Sequence, residues 1–208
     1  MKQIVIYVHG KGGCAEEAEH YKPLFPDHAV IGFDYQSQNP WEAKKEFTRY
    51  FDLYKKEYDS IILVANSIGA FFAMNALSEK QIKSAVFISP IVNMEKCITD
   101  MITRENVTED LLHSKKEIHT EFGETLSWEY LCYVRNHPIA WNVPTYILYG
   151  ERDNLTSMET ISGFASKIGA SLTVMKNGEH WFHTDEQMAF LDDWIRNTVS
   201  SCFRSACG

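Results

Sequence analysis

Six short apolar runs punctuate the chain: Gln3 to His9, Ala29 to Tyr35, Ser60 to Ala65, Ser84 to Ser89, Thr145 to Gly150 and Ser171 to Lys176. Nearly all are continuous, without the in-out alternation of a strand wet on one face, so they predict strands covered on both sides. Helical stretches lie between them, and that alternation predicts βαβ units: an α/β fold with a mainly parallel six-stranded sheet flanked by helices.

Start signals mark several of the helices. Asn39-Pro40 offers a cap and a first-turn proline, after which Phe47, Tyr50, Phe51, Tyr54 and Tyr58 recur at helical spacing as core positions. Thr156-x-x-Glu159 and Thr184-x-x-Gln187 both match the capping box. The second opens a helix whose Met188, Leu191, Trp194, Ile195 and Val199 form one apolar stripe, expected to pack on the sheet. Residues 91–143, between Pro90 and Pro144, break the rhythm, with helical and polar character and no convincing strand. A structureless loop of that length is improbable in a compact domain, so the segment reads as a helical insertion, a lid or cap over one edge of the sheet. No linker separates it, and residues 1–208 read as a single domain with this insertion inside it.

Composition narrows the partners. A formal charge of -8 without a basic cluster argues against nucleic acid. The five cysteines, Cys14, Cys97, Cys132, Cys202 and Cys207, have neither zinc spacing nor a disulfide framework, which fits a reducing compartment. The apolar start of "MKQIVIYVHG" is shorter than a signal peptide's core, and no run approaches a membrane span. A cytoplasmic protein without membrane partners is expected. Cys207 lies too near the end for a prenylation box.

Candidate chemistry centres on "ANSIGA", Ala65 to Ala70, directly behind the third strand run. A serine there is either a helix cap or an exposed nucleophile. A serine hydroxyl needs a base to take its proton and an acid to orient that base. Asp153 follows the fifth strand in "YILYGERDN", with Glu151 as a nearby alternative, and His180 follows the sixth in "NGEHWF", with His183 three residues on. Strand C-termini of a parallel sheet share one edge, so Ser67, Asp153 and His180 can converge there. Zinc held by His180 and His183 lacks further ligands at suitable spacing, and no metal is expected.

In that order, Ser67, Asp153 and His180 resemble the triad of the α/β-hydrolase family, and Ala65-Asn66-Ser67-Ile68-Gly69 resembles its G-x-S-x-G nucleophile elbow with Ala in the first position. The resemblance runs from His9 to the last helix. It implies an oxyanion hole from the backbone N–H groups of Ile68 and Lys11, with Gly12 the alternative donor in "HGKGG", and a structural role for His9. It also implies a serine hydrolase acting on a small carboxylic ester or related acyl compound, without a cofactor.

Tyr35, Trp141 and Trp181, with Gly12, are the candidate pocket residues, among an aromatic group that includes Trp128, Tyr130 and Tyr133. These aromatics could equally glue the insertion to the sheet. Two other functions compete. One is a catalytically silent binding protein of the same fold, and the other an aminopeptidase-like hydrolase whose amine anchor would be an acid such as Glu121, Glu124 or Glu129.

Overall fold

The computed structural model describes residues 2–121 and 123–199, the side chains of residues 198 and 199 excepted. In chain order the elements are β1 (Gln3–Val8), α1 (Ala18–Tyr21), β2 (Ala29–Phe33), α2 (Pro40–Lys55), β3 (Ser60–Asn66), α3 (Ser67–Leu77) and β4 (Ser84–Ile88). There follow α4 (Met94–Arg104), α5 (Glu109–Lys115), β5 (Glu117–His119), β6 (Thr125–Ser127) and α6 (Trp128–Asn136). The chain closes with β7 (Thr145–Gly150), α7 (Met158–Ile168), β8 (Ser171–Met175) and α8 (Asp185–Trp194), which runs into a π-helical turn at Ile195–Val199.

All six expected strands form, in one sheet of order β2-β1-β3-β4-β7-β8, and every pairing in it is parallel. Their continuous apolar character has a direct cause. Alternate side chains enter two different cores: Ile4, Ile6 and Val8 face the layer containing α2, α3 and α7, while Val5 and Tyr7 face α1 and α8. Helix α3 is apolar on all sides because Ala70, Phe71, Phe72, Ala73, Met74 and Leu77 are all buried. Of the α8 stripe, Leu191, Trp194 and Ile195 are buried, Met188 packs at the margin, and the side chain of Val199 lies outside the described residues. So do Cys202 and Cys207.

Asn39 caps α2 by accepting from Glu42 N at 2.9 Å ahead of Pro40, as the sequence predicts, and Phe47 and Phe51 are buried while Tyr50, Tyr54 and Tyr58 pack at the core margin. Thr184 Oγ1 accepts from Gln187 N, but Gln187 Oε1 returns to His183 N instead of to Thr184, so the box is closed one residue outside its usual position. Two expectations need correction. The cap of α7 is Ser157, which accepts from Thr160 N, and Thr156 is buried one residue earlier. The segment between β4 and β7 folds as α4, α5 and α6 but also contains the antiparallel hairpin β5–β6, where no strand was expected. Those strands are three residues long and largely polar, too short to leave a periodic signal. No helix among the described residues is long and apolar enough to cross a membrane.

Candidate active site

The strand register places the site. Val8 of β1 pairs with Ala65 of β3, Asn66 with Ile88 of β4, and Gly150 of β7 with Met175 of β8, so the loops that follow these strands leave from one edge of the sheet. Ser67 stands at the turn from β3 into α3 with φ 48°, a left-handed conformation uncommon outside glycine. Such a conformation costs on the order of 1–3 kcal/mol and persists only where the surroundings enforce it. Here Ile91 N donates to Ser67 O at 3.1 Å, and the loop after β1 presses on the first turn of α3. At Gly69 a Cβ would collide with the carbonyl oxygen of His9 and stand 3.1 Å from that of Val8, so only glycine admits this approach.

Ser67 Oγ lies 2.8 Å from His180 Nε2, and His180 Nδ1 lies 2.7 Å from Asp153 Oδ2. The Asp153 side chain has no exposure and that of His180 has 14%. Buried charge must be matched, and Asp153 Oδ1 accepts from Leu155 N at 2.8 Å and Thr156 N at 2.9 Å. Its loop is pinned in turn: Arg152 N donates to Gly178 O at 2.8 Å, tying it to the His180 loop, and the buried Tyr149 hydroxyl donates to Thr156 O at 2.7 Å. Burial, with the Asp153 charge beside it, raises the Tyr149 phenol above its ordinary value, keeping it a donor. The sequence marks Thr156 only as a helix cap. Its place in the Asp153 cradle could be found only by moving the cap to Ser157.

The alternatives at each position are engaged elsewhere. Glu151 Oε2 accepts from Asn177 N at 2.9 Å on the surface, and His183 Nδ1 is 2.7 Å from Trp181 O, so its N–H donates to that carbonyl. Since a carbonyl oxygen only accepts, His9 Nδ1 likewise carries the proton given to Gly10 O, at 2.8 Å. Its ring stacks on Tyr35 at 4.3 Å between centroids, and the Tyr35 hydroxyl donates to His9 O, so the ring and main chain of residue 9 are both fixed.

Three adjoining cavities meet here. One of about 390 Å³ contains Ser67, His180, Trp181 and the loop from Gly10 to Gly13. A second, of about 290 Å³, shares Ser67 and is walled by Ile68, Ile91, Met94 and Met101 from under the insertion. It continues through Lys11, Ile68 and Met101 into a third of about 420 Å³ that reaches Gly12, Tyr35 and Tyr130. Lys11 Nζ forms an ion pair with Glu124, tying the loop after β1 to the hairpin of the insertion. Glu121 and Glu129 are exposed.

The expected pocket residues separate. Gly12, Tyr35 and Trp181 line cavities, whereas Trp141 is 2% exposed, donates from Nε1 to Thr145 Oγ1 at 2.8 Å and packs on Phe87. Its assignment to the pocket is therefore corrected: it precedes β7, at the end of the sheet away from the site, and serves the core. Trp128 packs on His113 and Tyr133 on Trp41 and His137, holding the insertion together and against α2. No group of three or more His, Cys, Asp or Glu side chains among the described residues is arranged to hold a metal ion.

No family model matches the chain. A Mycoplasma genitalium protein whose name assigns it provisionally to the esterases and lipases is 27% identical over 103 residues, which take in 43% of this chain and 37% of that protein. The chain thus matches little more than a third of that relative's length. Among solved structures, Est1E from Butyrivibrio proteoclasticus superimposes with a TM-score of 0.72 at 16% identity over 96% of this chain and 87% of its own. The mouse alpha/beta hydrolase domain-containing protein 10 gives 0.73 at 15% identity over 95% and 90%, and an esterase of Pyrococcus furiosus 0.57 at 20% over 98% and 82%.

Proposed function

From the premise that the chain has the α/β-hydrolase fold, we propose that it is a serine hydrolase cleaving a small carboxylic ester or related acyl compound through an acyl-enzyme on Ser67. The reading is supported above all by the unbroken relay from Ser67 Oγ through His180 to the buried Asp153, at 2.8 and 2.7 Å.

In this mechanism His180 Nε2 takes the Ser67 proton as Oγ bonds to the substrate carbonyl carbon, and the carbonyl π electrons move onto its oxygen. Asp153 holds Nδ1–H and stabilises the imidazolium. The oxyanion is bound by the N–H of Ile68, in the first turn of α3, and that of Lys11, in the loop beside it; one such donor is worth about 3–4 kcal/mol. Collapse of the intermediate expels the leaving group, which takes the proton from His180. Water then adds to the acyl-enzyme by the reverse sequence. The cavity whose inner wall is Ile68, Ile91, Met94 and Met101, with Asp100, Arg104 and Glu124 also in its lining, is the acyl side. The leaving group must reach His180, so the cavity containing His180 is its side.

Hydrolysis of p-nitrophenyl esters from acetate to decanoate, set beside aminoacyl anilides, tests the proposal in the wild type and Ser67→Ala. Ester turnover that vanishes with Ser67 is expected. Preference for the anilides would move the assignment to an aminopeptidase-like enzyme, and absence of turnover on both series would favour a silent binding protein.

A further inference from the structure

The cavity on the leaving-group side of Ser67 holds a polar relay that the reaction itself does not use. Asn66, the residue before the nucleophile, donates from Nδ2 to the Tyr7 hydroxyl at 3.2 Å, and that hydroxyl donates to Glu17 Oε2. The direction of this chain is fixed. A carboxylate only accepts, so Tyr7 must give its proton to Glu17 and receive one from Asn66. The Asn66 amide is thereby oriented, and its Oδ1 is left buried with no hydrogen-bond partner among the described residues. The relay's effect is to hold the Glu17 carboxylate in place at the cavity wall.

Glu17 adds charge to the same place. It lines the cavity together with Asn66, Ser67 and His180, and it enters no ion pair among the described residues. Its carboxylate rests on the loop after β1: a Cβ at Gly13 would stand 2.8 Å from Glu17 Oε1, so the missing side chain makes the room it occupies. Lys11, which also lines this cavity, is drawn off to Glu124. An unneutralised carboxylate against the loop that supplies an oxyanion donor works against the negative charge developing there. A cation bound at Glu17 cancels that opposition. Trp181, 71% exposed and stacked on His183 through one face at 4.5 Å, adds an aromatic ring to the same wall. Such rings attract ammonium groups.

We propose that this cavity recognises a protonated amine, so that the preferred substrates join an apolar acyl group to a leaving group bearing an ammonium centre. The proposal rests on the acyl-transfer reading, which decides which cavity takes the leaving group. It places the amine on the opposite side of the scissile bond from the free amine of an aminopeptidase substrate.

Two esters of one shape test it: 2-(dimethylamino)ethyl butyrate, protonated at neutral pH, and 3-methylbutyl butyrate, in which a carbon replaces the charged nitrogen. Acid release is followed for each with wild type, Glu17→Gln and Glu17→Asp, and Ser67 labelling by a fluorophosphonate is scored in parallel. Glu17 is exposed, so the wild type should favour the cationic ester by roughly twofold to fivefold in kcat/KM, the range of a surface ion pair. In Glu17→Gln the cationic ester should become slower and the neutral one faster, and Glu17→Asp should retain the preference. Opposite movements cannot come from a damaged fold, which slows both. A wild-type ratio near one, or a parallel fall of both esters in Glu17→Gln, overturns the proposal. If Ser67 is labelled and the neutral ester is cleaved without any preference, the amine site alone falls. If Ser67 is not labelled and neither ester is cleaved, the hydrolase reading falls with it.

Discussion

Replacing Gly69 by alanine adds one methyl group at the point where the loop after β1 meets the first turn of α3. The new Cβ would overlap the carbonyl oxygen of His9 and stand 3.0 Å from Val8 Cγ1 and 3.1 Å from Val8 O, against the 3.4–4 Å of ordinary contact. The two oxygens are backbone atoms, Val8 being held in the parallel ladder with Ala65 and Phe33 and His9 O accepting from the Tyr35 hydroxyl, so turning a side chain aside does not relieve them. Restoring contact to the His9 oxygen requires a retreat on the order of 1 Å, and overpacking of this kind typically costs about 1–3 kcal/mol. Lys11, the proposed second oxyanion donor, follows two residues later and moves with the loop. A misplacement of about 1 Å in a catalytic group costs roughly 10²-fold in rate. Gly163, in the middle of α7 with nothing within 4 Å of its Cβ position, is the control. There alanine should stabilise by about 0.5–1 kcal/mol through helix propensity and leave turnover unchanged. Denaturant midpoints and kcat/KM on p-nitrophenyl butyrate read both effects. Gly69→Ala with wild-type stability and turnover would refute the close-approach reasoning.

Further outcomes follow from the same geometry. Asp153→Asn should lower kcat on the order of 10³- to 10⁴-fold by releasing the His180 tautomer, whereas Glu151→Gln, whose oxygen still meets Asn177 N, should stay near wild type in the same ester assay. Trp141→Phe should lose about 1–3 kcal/mol of unfolding free energy with kcat/KM unaltered, since the indole serves Thr145 and the core; a lowered kcat/KM in a folded variant would return Trp141 to the pocket. Burial, and then the charges of Asp100, Glu124 and Asp153, push the Cys97 thiol up to about 11 from 9.0. The folded state therefore holds this proton longer than the unfolded one, and the associated stability is complete below pH 9 and lost as pH rises toward 11. Denaturant midpoints at pH 8 and pH 10.5 should show a smaller alkaline loss in Cys97→Ala; an equal loss would contradict the assignment.

The inner strands β1, β3, β4 and β7 were legible because they are covered on both faces: burial of successive residues in two different cores leaves an uninterrupted apolar run, whereas the edge strands β2 and β8 are partly exposed. The relay was legible for a related reason. Ser67, Asp153 and His180 each stand just past the C-terminal end of a parallel strand, and such ends share an edge whatever the distance along the chain. Signals failed where elements are short or contacts non-local. Strands β5 and β6 are three residues each, and Thr156 and Ser157 are adjacent cap candidates of which the Glu159 spacing favours the wrong one. Trp141 has the same composition signal as Trp181, and only its position before β7 separates core from cavity. The relay from Asn66 through Tyr7 to Glu17 joins residues 59 and 10 positions apart with no recurring pattern, so nothing in the linear sequence announces it.

The central claim is that Ser67 is a nucleophile activated by His180. Peptide mapping by mass spectrometry after treatment with a fluorophosphonate reads it directly. One phosphonyl group per chain on Ser67 is expected, with labelling slowed steeply in His180→Ala and absent in Ser67→Ala. An adduct on another residue, or labelling undiminished by either substitution, would contradict the account.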